Sequence, residues 1–451
     1  MSHHASSTIA AVATAPGRGG VGIIRISGPL SLPIAQELFK SVSLSARRAK
    51  IVHVHDAAGT TLDEGIGLYF PAPHSFTGED VIEFQGHGGP ILLDMILARI
   101  INLGAQLAKP GEFSERAFLN DKMDLLQAEA IADLIDGAST AAVRAAARSM
   151  QGEFSQHIRA MSQQIIELRT HIEATIDFSD EEIDFLQDNA LQQRLTKIQS
   201  QLHRVFASAQ QGAILREGIT VVIAGLPNAG KSSLLNRLTG TDTAIVTEIA
   251  GTTRDVLRTQ IQIDGLPIHV IDTAGLRATS DVVEQIGIDR ARSEIQRADC
   301  VLLVIDDRRP LAEQIGEINP PLPATLPMII VRNKIDLTLR QPGQQQGPRG
   351  VEIAVSALTG AGIEALRAHL KHTAGFQDSA ETTFMARRRH LAALQQADTF
   401  LNQAADALHH GKAELVAEEL RHAHRALGEL VGEFTNDDLL GSIFSTFCIG
   451  K

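Results

Sequence analysis

The chain has 451 residues, 44% hydrophobic and 21% charged, which excludes a disordered polymer and gives room for about three domains. A formal net charge of −12 excludes indiscriminate coating of nucleic acid, so an RNA contact would need a local basic patch such as Arg387-Arg-Arg389. Two cysteines exclude a disulfide framework and fit a reducing cytoplasm, and no apolar run reaches the roughly 18–20 residues of a membrane span or forms a signal peptide.

Residues 1–120 alternate short β-rich runs with glycine turns. Val21–Ile26, Gly65–Phe70 and Val81–Phe84 read as strands, and Pro90–Leu97 as the one amphipathic helix between them, which is an α+β pattern. From Leu125 the apolar period becomes 3.6. Ile158, Met161, Ile165, Leu168, Ile172 and Ile176 mark one long amphipathic helix, and Ser179-Asp-Glu-Glu182 is a capping box for the next. Leu191, Leu195, Ile198, Leu202 and Val205 carry the stripe of that second helix. A different, strand-and-loop pattern fills 216–376, with Asn319–Pro323 and Gln341–Gly347 reading as loops. After Ala380 the helical period returns at Leu391, Leu394, Leu401, Leu408, Leu415 and Leu420. The expected architecture is multidomain. It comprises an α+β domain over 1–122, an α-helical central domain over 123–215 and 377–451, and an α/β P-loop domain inserted at 216–376.

The inserted segment carries the chemistry. Gly225-Leu-Pro-Asn-Ala-Gly-Lys-Ser-Ser233 follows the buried strand Gly218–Ala224 and opens the helix Ser233–Leu238. In such a loop, backbone N–H groups and the helix N-terminus cradle phosphates. Asn228, Ala229, Gly230, Ser232 and Ser233 line it, Lys231 reaches the β/γ-phosphates, and the Ser232 hydroxyl meets Mg²⁺. Asp272, Thr273, Ala274 and Gly275 follow the strand Ile268–Ile271, with Asp272 placed to hold Mg²⁺ through water. Asn333, Lys334 and Asp336 follow the strand Met328–Val331, and Ser356 and Ala357 complete four motifs in the order of a guanine-nucleotide hydrolase.

Guanine is favoured because one carboxylate, Asp336, accepts from N1–H and N2–H together, Asn333 meets N7, and the Ser356–Ala357 backbone meets O6. Adenine would leave Asp336 unpaired at a cost of roughly 1–3 kcal/mol or more. Thr252 and Thr253 form the switch candidate, with Thr253 completing the Mg²⁺ shell. Many small GTPases place a glutamine after the DxxG motif to orient water. Here Leu276 stands there, so the role passes to an acidic group among Asp281, Glu284 and Asp289. Asn228 either ligates a monovalent cation through its amide oxygen or simply tolerates the turn. Cys300 sits in the strand Ala298–Ile305 and belongs to a core, whereas Cys448 lies in a glycine- and serine-punctuated tail.

Four further stretches carry a resemblance. They are Pro16-Gly-Arg-Gly-Gly-Val-Gly-Ile-Ile-Arg25, Phe76–Gly89, Gly111–Leu125 and the terminal Phe447-Cys-Ile-Gly-Lys451. Together with the inserted GTPase they resemble, end to end, the MnmE (TrmE) family of bacterial tRNA modification GTPases. The resemblance implies a homodimeric, cytoplasmic, K⁺-stimulated GTPase. With the flavoprotein MnmG, in a heterotetramer or larger complex, it would add an aminomethyl or carboxymethylaminomethyl group to C5 of the wobble uridine of certain tRNAs. The one-carbon unit would come from a 5-formyl or 5,10-methylene tetrahydrofolate derivative. By motif position, Arg25, Glu83, Lys122 and Lys451 match the family's folate contacts, and Glu284 matches its water-orienting glutamate. Asn228 matches the K⁺-ligating asparagine, with Thr247, Ile249 and Thr252 completing that K⁺ site and Thr247 also facing the nucleotide. Cys448 matches the family's tail cysteine, a candidate catalytic thiol with only Lys451 nearby to lower its pKa. The competing reading is a ribosome-assembly GTPase, which predicts an RNA-binding module such as a KH domain after the GTPase. The helical flank shows no such β-rich module.

Overall fold

The fold, a computed structural model, is described for residues 7–40, 42–177, 189–239, 258–272, 298–317, 326–377, 383–434 and 437–450. It forms two compact units, one from residues 1–132, 149–199 and 396–451, the other from residues 133–148 and 200–395.

The first unit holds a six-stranded sheet of order β3-β4-β5-β2-β1-β6, made of β1 (Ile9–Val12), β2 (Gly19–Ser27), β3 (Lys50–His55), β4 (Thr61–Phe70), β5 (Val81–Gly88) and β6 (Gln106–Leu107). All pairings are antiparallel except β1 with β6. Period-two alternation sends Ile24, Ile26, Ile82 and Phe84 to one face, where α1 (Ser31–Phe39) and α2 (Pro90–Asn102) cover them with Ile34, Leu38, Leu93, Ile96 and Ile100. The same alternation leaves Arg25 and Glu83 off that core.

The sequence predicts one helix among the strands, and the structure adds two. Helix α1 escapes notice because it is only nine residues long and carries Pro33, which a first helical turn tolerates. Helix α3 (Glu112–Leu119) hides because its buried residues include Glu112, Ser114 and Arg116, which break the apolar stripe. After α4 (Leu125–Ile135) and α5 (Thr140–Met150), the long helix is α6 (Glu153–Asp177), with Ile158, Met161, Ile165, Leu168 and Ile172 buried. Next comes α7 (Asn189–Glu217), whose predicted stripe Leu191, Leu195, Ile198, Leu202 and Val205 is buried throughout. The capping box at 179–182 lies outside the described residues.

The second unit is built on a seven-stranded sheet of order β12-β13-β11-β10-β7-β9-β8. Its strands are β7 (Ile219–Ala224), β8 (Arg258–Ile263), β9 (Leu266–Asp272), β10 (Cys300–Asp306), β11 (Met328–Asn333), β12 (Gly343–Gly347) and β13 (Gly350–Ala354). The five central strands are parallel and the two edges antiparallel. Strand β10 is buried along its whole length, as expected of a parallel strand covered on both faces. Helices α8 (Lys231–Thr239) and α10 (Ile363–Thr373) seal one face through Leu234, Leu238, Ile363, Leu366 and Leu370. The short α9 (Leu311–Gly316) covers part of the other.

The glutamine run corrects an expectation, because Gly343–Gly347 is a strand and not a loop. It pairs with β13 as an edge, where the backbone ladder needs no apolar side chains and leaves no hydrophobic signal. Asn319–Pro323 lies outside the described residues. The C-terminal helices are α11 (Arg388–His409), α12 (Ala413–Val431) and α13 (Asp437–Phe444). Leu415 departs from the predicted stripe, being 48% exposed, because α11 stops and α12 restarts the phase with Val416 and Leu420 inward.

Candidate functional site

The loop from β7 to α8 is shaped by backbone conformations that few residues tolerate. Gly225 has φ +147°, and a Cβ there would sit 2.2 Å from the Val304 carbonyl oxygen of β10. Gly230 has φ +94°, and its Cβ would meet Asn333 Nδ2 at 2.2 Å. Asn228 has φ +63°, the left-handed region in which asparagine is enriched, so the turn alone accounts for an amide side chain here. Lys231 begins α8 and arches back, its Nζ donating to Gly225 O at 2.8 Å and Leu226 O at 3.1 Å. Ser232 and Ser233 are exposed in the first turn.

The residues expected to read the base meet this loop from the ends of β11 and β13. Buried Asn333 donates through Nδ2 to Ala229 O at 2.9 Å, while its Oδ1 accepts from Ala357 N at 3.0 Å. Lys334, left-handed at φ +69°, donates to Asn228 O at 2.6 Å and to Asp306 Oδ2 at 2.9 Å. Ser356 donates its hydroxyl to Asp336 Oδ1. Residues up to 129 positions apart are thereby locked into one cradle.

Two participants were missed in the sequence. Asp306 ends β10 and anchors Lys334; the Arg308 guanidinium, joined by the Lys334 ammonium, holds its carboxyl well below the usual carboxylate range. Arg237 of α8 donates to Ala357 O at 3.3 Å and to Leu358 O at 2.6 Å, fixing the loop after Ser356. The signal for Asp306 was a carboxylate closing an otherwise apolar buried strand.

A second constellation lies on the six-stranded sheet. Arg25 and Glu83 face each other across β2 and β5, with both Arg25 Nε and Nη2 2.8 Å from Glu83 Oε1. The guanidinium stands 5.3 Å from the Phe76 ring centroid and 5.7 Å from that of Phe113. Its Nη1 donates to Gly450 O at 3.4 Å, so the end of the chain reaches its beginning. The tail is pinned there. Gly111 N donates to Cys448 O at 3.4 Å, Phe444 and Phe447 pack with Leu125 and Ala128, and a Cβ on Gly450 would lie 2.6 Å from Val12 O.

Beneath Phe113, buried Arg116 donates to Glu79 at 3.1 Å and to Glu112 at 2.9 Å, a buried ion network that the α+β reading did not register. Lys122 donates to Pro73 O at 2.9 Å, beside a cavity of about 580 Å³ that it lines with Phe118, Asp124, Arg159 and Glu433. Cys448 is exposed. Cys300 is buried, and desolvation pushes its thiol up to about 12.

Comparison with known proteins decides what carries these two constellations. The family described as the MnmE helical domain matches residues 125–448, and the TrmE N-terminus, a GTP-binding protein family, matches residues 8–122. The chain is 55% identical over 458 residues to the tRNA modification GTPase MnmE of Pseudomonas aeruginosa (strain UCBPP-PA14), covering 99% of each chain. It is 56% identical over 456 residues to that of Proteus mirabilis (strain HI4320), covering 99% of this chain and 100% of the relative. The chain belongs to the MnmE family of tRNA modification GTPases. Among solved structures it is 27% identical to the G domain of the T. maritima FeoB iron transporter, over 35% of this chain and 98% of that one, with a TM-score of 0.23.

Several expected residues of an MnmE protein lie outside the described residues: Thr247, Ile249, Thr252 and Thr253, then Thr273, Ala274, Gly275, Leu276, Asp281, Glu284 and Asp289, and Lys451. Asp272 ends β9 by its backbone. The basic triplet is not a free patch. Arg387 pairs with Asp133 at 2.9 Å and Arg388 with Glu217 at 2.8 Å. No described helix is long and apolar enough to cross a membrane.

Proposed function

We propose that this MnmE-family chain hydrolyses GTP to drive, with the flavoprotein MnmG, the addition of an aminomethyl or carboxymethylaminomethyl group to C5 of the wobble uridine of certain tRNAs. The observation that carries the GTP half is the cradle in which Asn333 and Lys334 clasp the Ala229 and Asn228 carbonyls while Ser356 orients Asp336. A nucleotide base entering beside Asp336 meets an acceptor whose second oxygen is free of Ser356, and its phosphates meet the loop that Gly225 and Gly230 keep open. Lys231 turns from two carbonyls to the phosphates, exchanging neutral acceptors for charged ones.

Ser232, Thr253 and Asp272 would hold Mg²⁺, which would supply positive charge to the transferring phosphoryl group. Asn228, Thr247, Ile249 and Thr252 would hold K⁺, which would supply positive charge beside the phosphates. Glu284 is the residue proposed to orient water, since Leu276 has no polar atom to do so.

The one-carbon half rests on Arg25, Glu83 and the tail. A pterin edge offers N–H donors to Glu83, the Phe76 and Phe113 rings give a flat apolar border, and Lys122 and Lys451 suit the glutamate tail of a 5-formyl or 5,10-methylene tetrahydrofolate. Cys448 is the proposed thiol near this site. The proposed division is a folate-binding and dimerising domain at 1–122, a helical domain at 123–215 and 377–451, and a GTPase domain at 216–376. The protein is proposed to act as a cytoplasmic homodimer.

The test is mass spectrometry of tRNA nucleosides from cells with and without the gene. Loss of C5-aminomethyl-type wobble uridines, restored by the gene but not by its Glu284→Ala form, supports the whole reading. Unchanged uridines would leave a GTPase with another client, and restoration by Glu284→Ala would break the link between hydrolysis and modification.

A further inference from the structure

A second basic stretch of this acidic protein lies in the first unit. From residue 38 to residue 55 the chain has Lys40, Arg47, Arg48 and Lys50, two histidines, and no carboxylate. This stretch links α1 to β3, the edge strand of the sheet. It is held in place by backbone bonds: Arg47 N donates to Tyr69 O at 2.8 Å, and Arg48 N closes a turn on Ser45 O at 3.2 Å. The side chains of Arg47 and Lys50 are positioned without being neutralised. Arg47 donates to His74 O at 2.9 Å and Lys50 to Ser43 O, both uncharged acceptors, and among the described residues no carboxylate pairs with Arg47, Arg48 or Lys50. The local acids are engaged elsewhere, Asp80 with Tyr69 Oη and Ala72 N, Glu64 with His53.

We infer that Arg47, Arg48 and Lys50 form a phosphate-contacting surface for the backbone of the RNA substrate. Guanidinium forks match phosphate oxygens, and a fork already fixed by a carbonyl loses little freedom on binding. The surface adjoins the proposed folate face, because Lys122 donates to Pro73 O, the carbonyl next to the one that holds Arg47. An RNA laid along it brings a base toward the one-carbon donor, and in this the inference rests on the tRNA reading above.

The experiment is fluorescence anisotropy of an unmodified tRNA transcript with the full-length protein, titrated between 50 and 200 mM NaCl. The Arg47→Gln/Arg48→Gln/Lys50→Gln variant should bind at least tenfold more weakly and lose about 2–3 from the slope of log K against log salt. Its GTPase rate should stay unchanged, and Arg387→Gln/Arg388→Gln should keep the full slope. A triple variant with the parental slope overturns the inference. On the unaltered protein, acetylation of Lys50 by an N-hydroxysuccinimide ester should be blocked by the transcript but not by phosphatidylglycerol vesicles; protection by vesicles only, or by neither, overturns it too. Nucleoside analysis keeps the two readings apart, since modification lost on gene deletion but unaffected by the triple variant sinks only this surface.

Discussion

The nucleotide cradle and the Arg25–Glu83 constellation are built by opposite strategies. In the cradle each element contributes a short contiguous motif at the C-terminal end of a parallel strand, and the strands are held in order by apolar burial. On the antiparallel sheet, single residues are brought together by strand register and by a tail 425 residues further along the chain. A motif-built site concentrates its information in consecutive residues. A register-built site distributes it, so a change in one strand or in the tail reaches the whole site.

The largest separation of the two is expected from Asp336→Asn. Losing the charged acceptor should lower GTP affinity by about ten- to a hundredfold and raise affinity for xanthine nucleotides, read by fluorescent-nucleotide titration. Folate binding should not move. Glu83→Gln should do the reverse, weakening tetrahydrofolate binding about tenfold in equilibrium dialysis with nucleotide affinity intact; a coupled fall in both would show that the two sites are not independent. Gly450→Ala sharpens the same contrast, because its Cβ collides with Val12 O and the residue sits at φ +94°. It should loosen the tail, raise the reaction rate of Cys448 severalfold toward a thiol reagent and leave nucleotide binding alone.

A smaller effect concerns the cysteines themselves. At pH 8 one thiol per native chain should react with Ellman's reagent and the second only after unfolding, since burial holds Cys300 protonated. A raised thiol pKa contributes stability that is complete below the unfolded value near 8.5–9 and lost as pH rises toward about 12. The smallest concerns His87, whose Nδ1 lies 2.6 Å from Asp63 Oδ1. The hydrogen bond that His87 donates to the Asp63 carboxylate raises its pKa, so the pair's contribution is complete below the ordinary imidazole value and fades as pH rises through the raised one. In an NMR titration Asp63→Asn should return His87 to the ordinary value.

How far the sequence reached can be followed residue by residue. Asn333, Lys334, Asp336 and Ser356 could be named as candidates because each belongs to a short contiguous motif, and the structure brings them together at one loop. Helix α3 was not legible, because its inward face carries Glu112 and Arg116, whose burial is offset by their pairing with each other and with Glu79 and by hydrogen bonds from Lys109 N to Glu112 and from Arg116 to Ser7. Strand β12 was not, because an edge strand is held by backbone bonds that any residue type provides. Arg387 looked like an exposed charge until Asp133, 254 positions away, was found beside it.

The sequence by itself determined the guanine-nucleotide chemistry, the helical periods of α6 and α7 and the insertion of one domain within another, because these follow from spacing along a single segment. Only the tertiary structure decided that Arg25 meets Glu83, Phe76, Phe113 and the Gly450 carbonyl at once, and which of the basic clusters is neutralised. Those outcomes depend on strand register and on carboxylates contributed from distant segments, and neither leaves a mark in local composition.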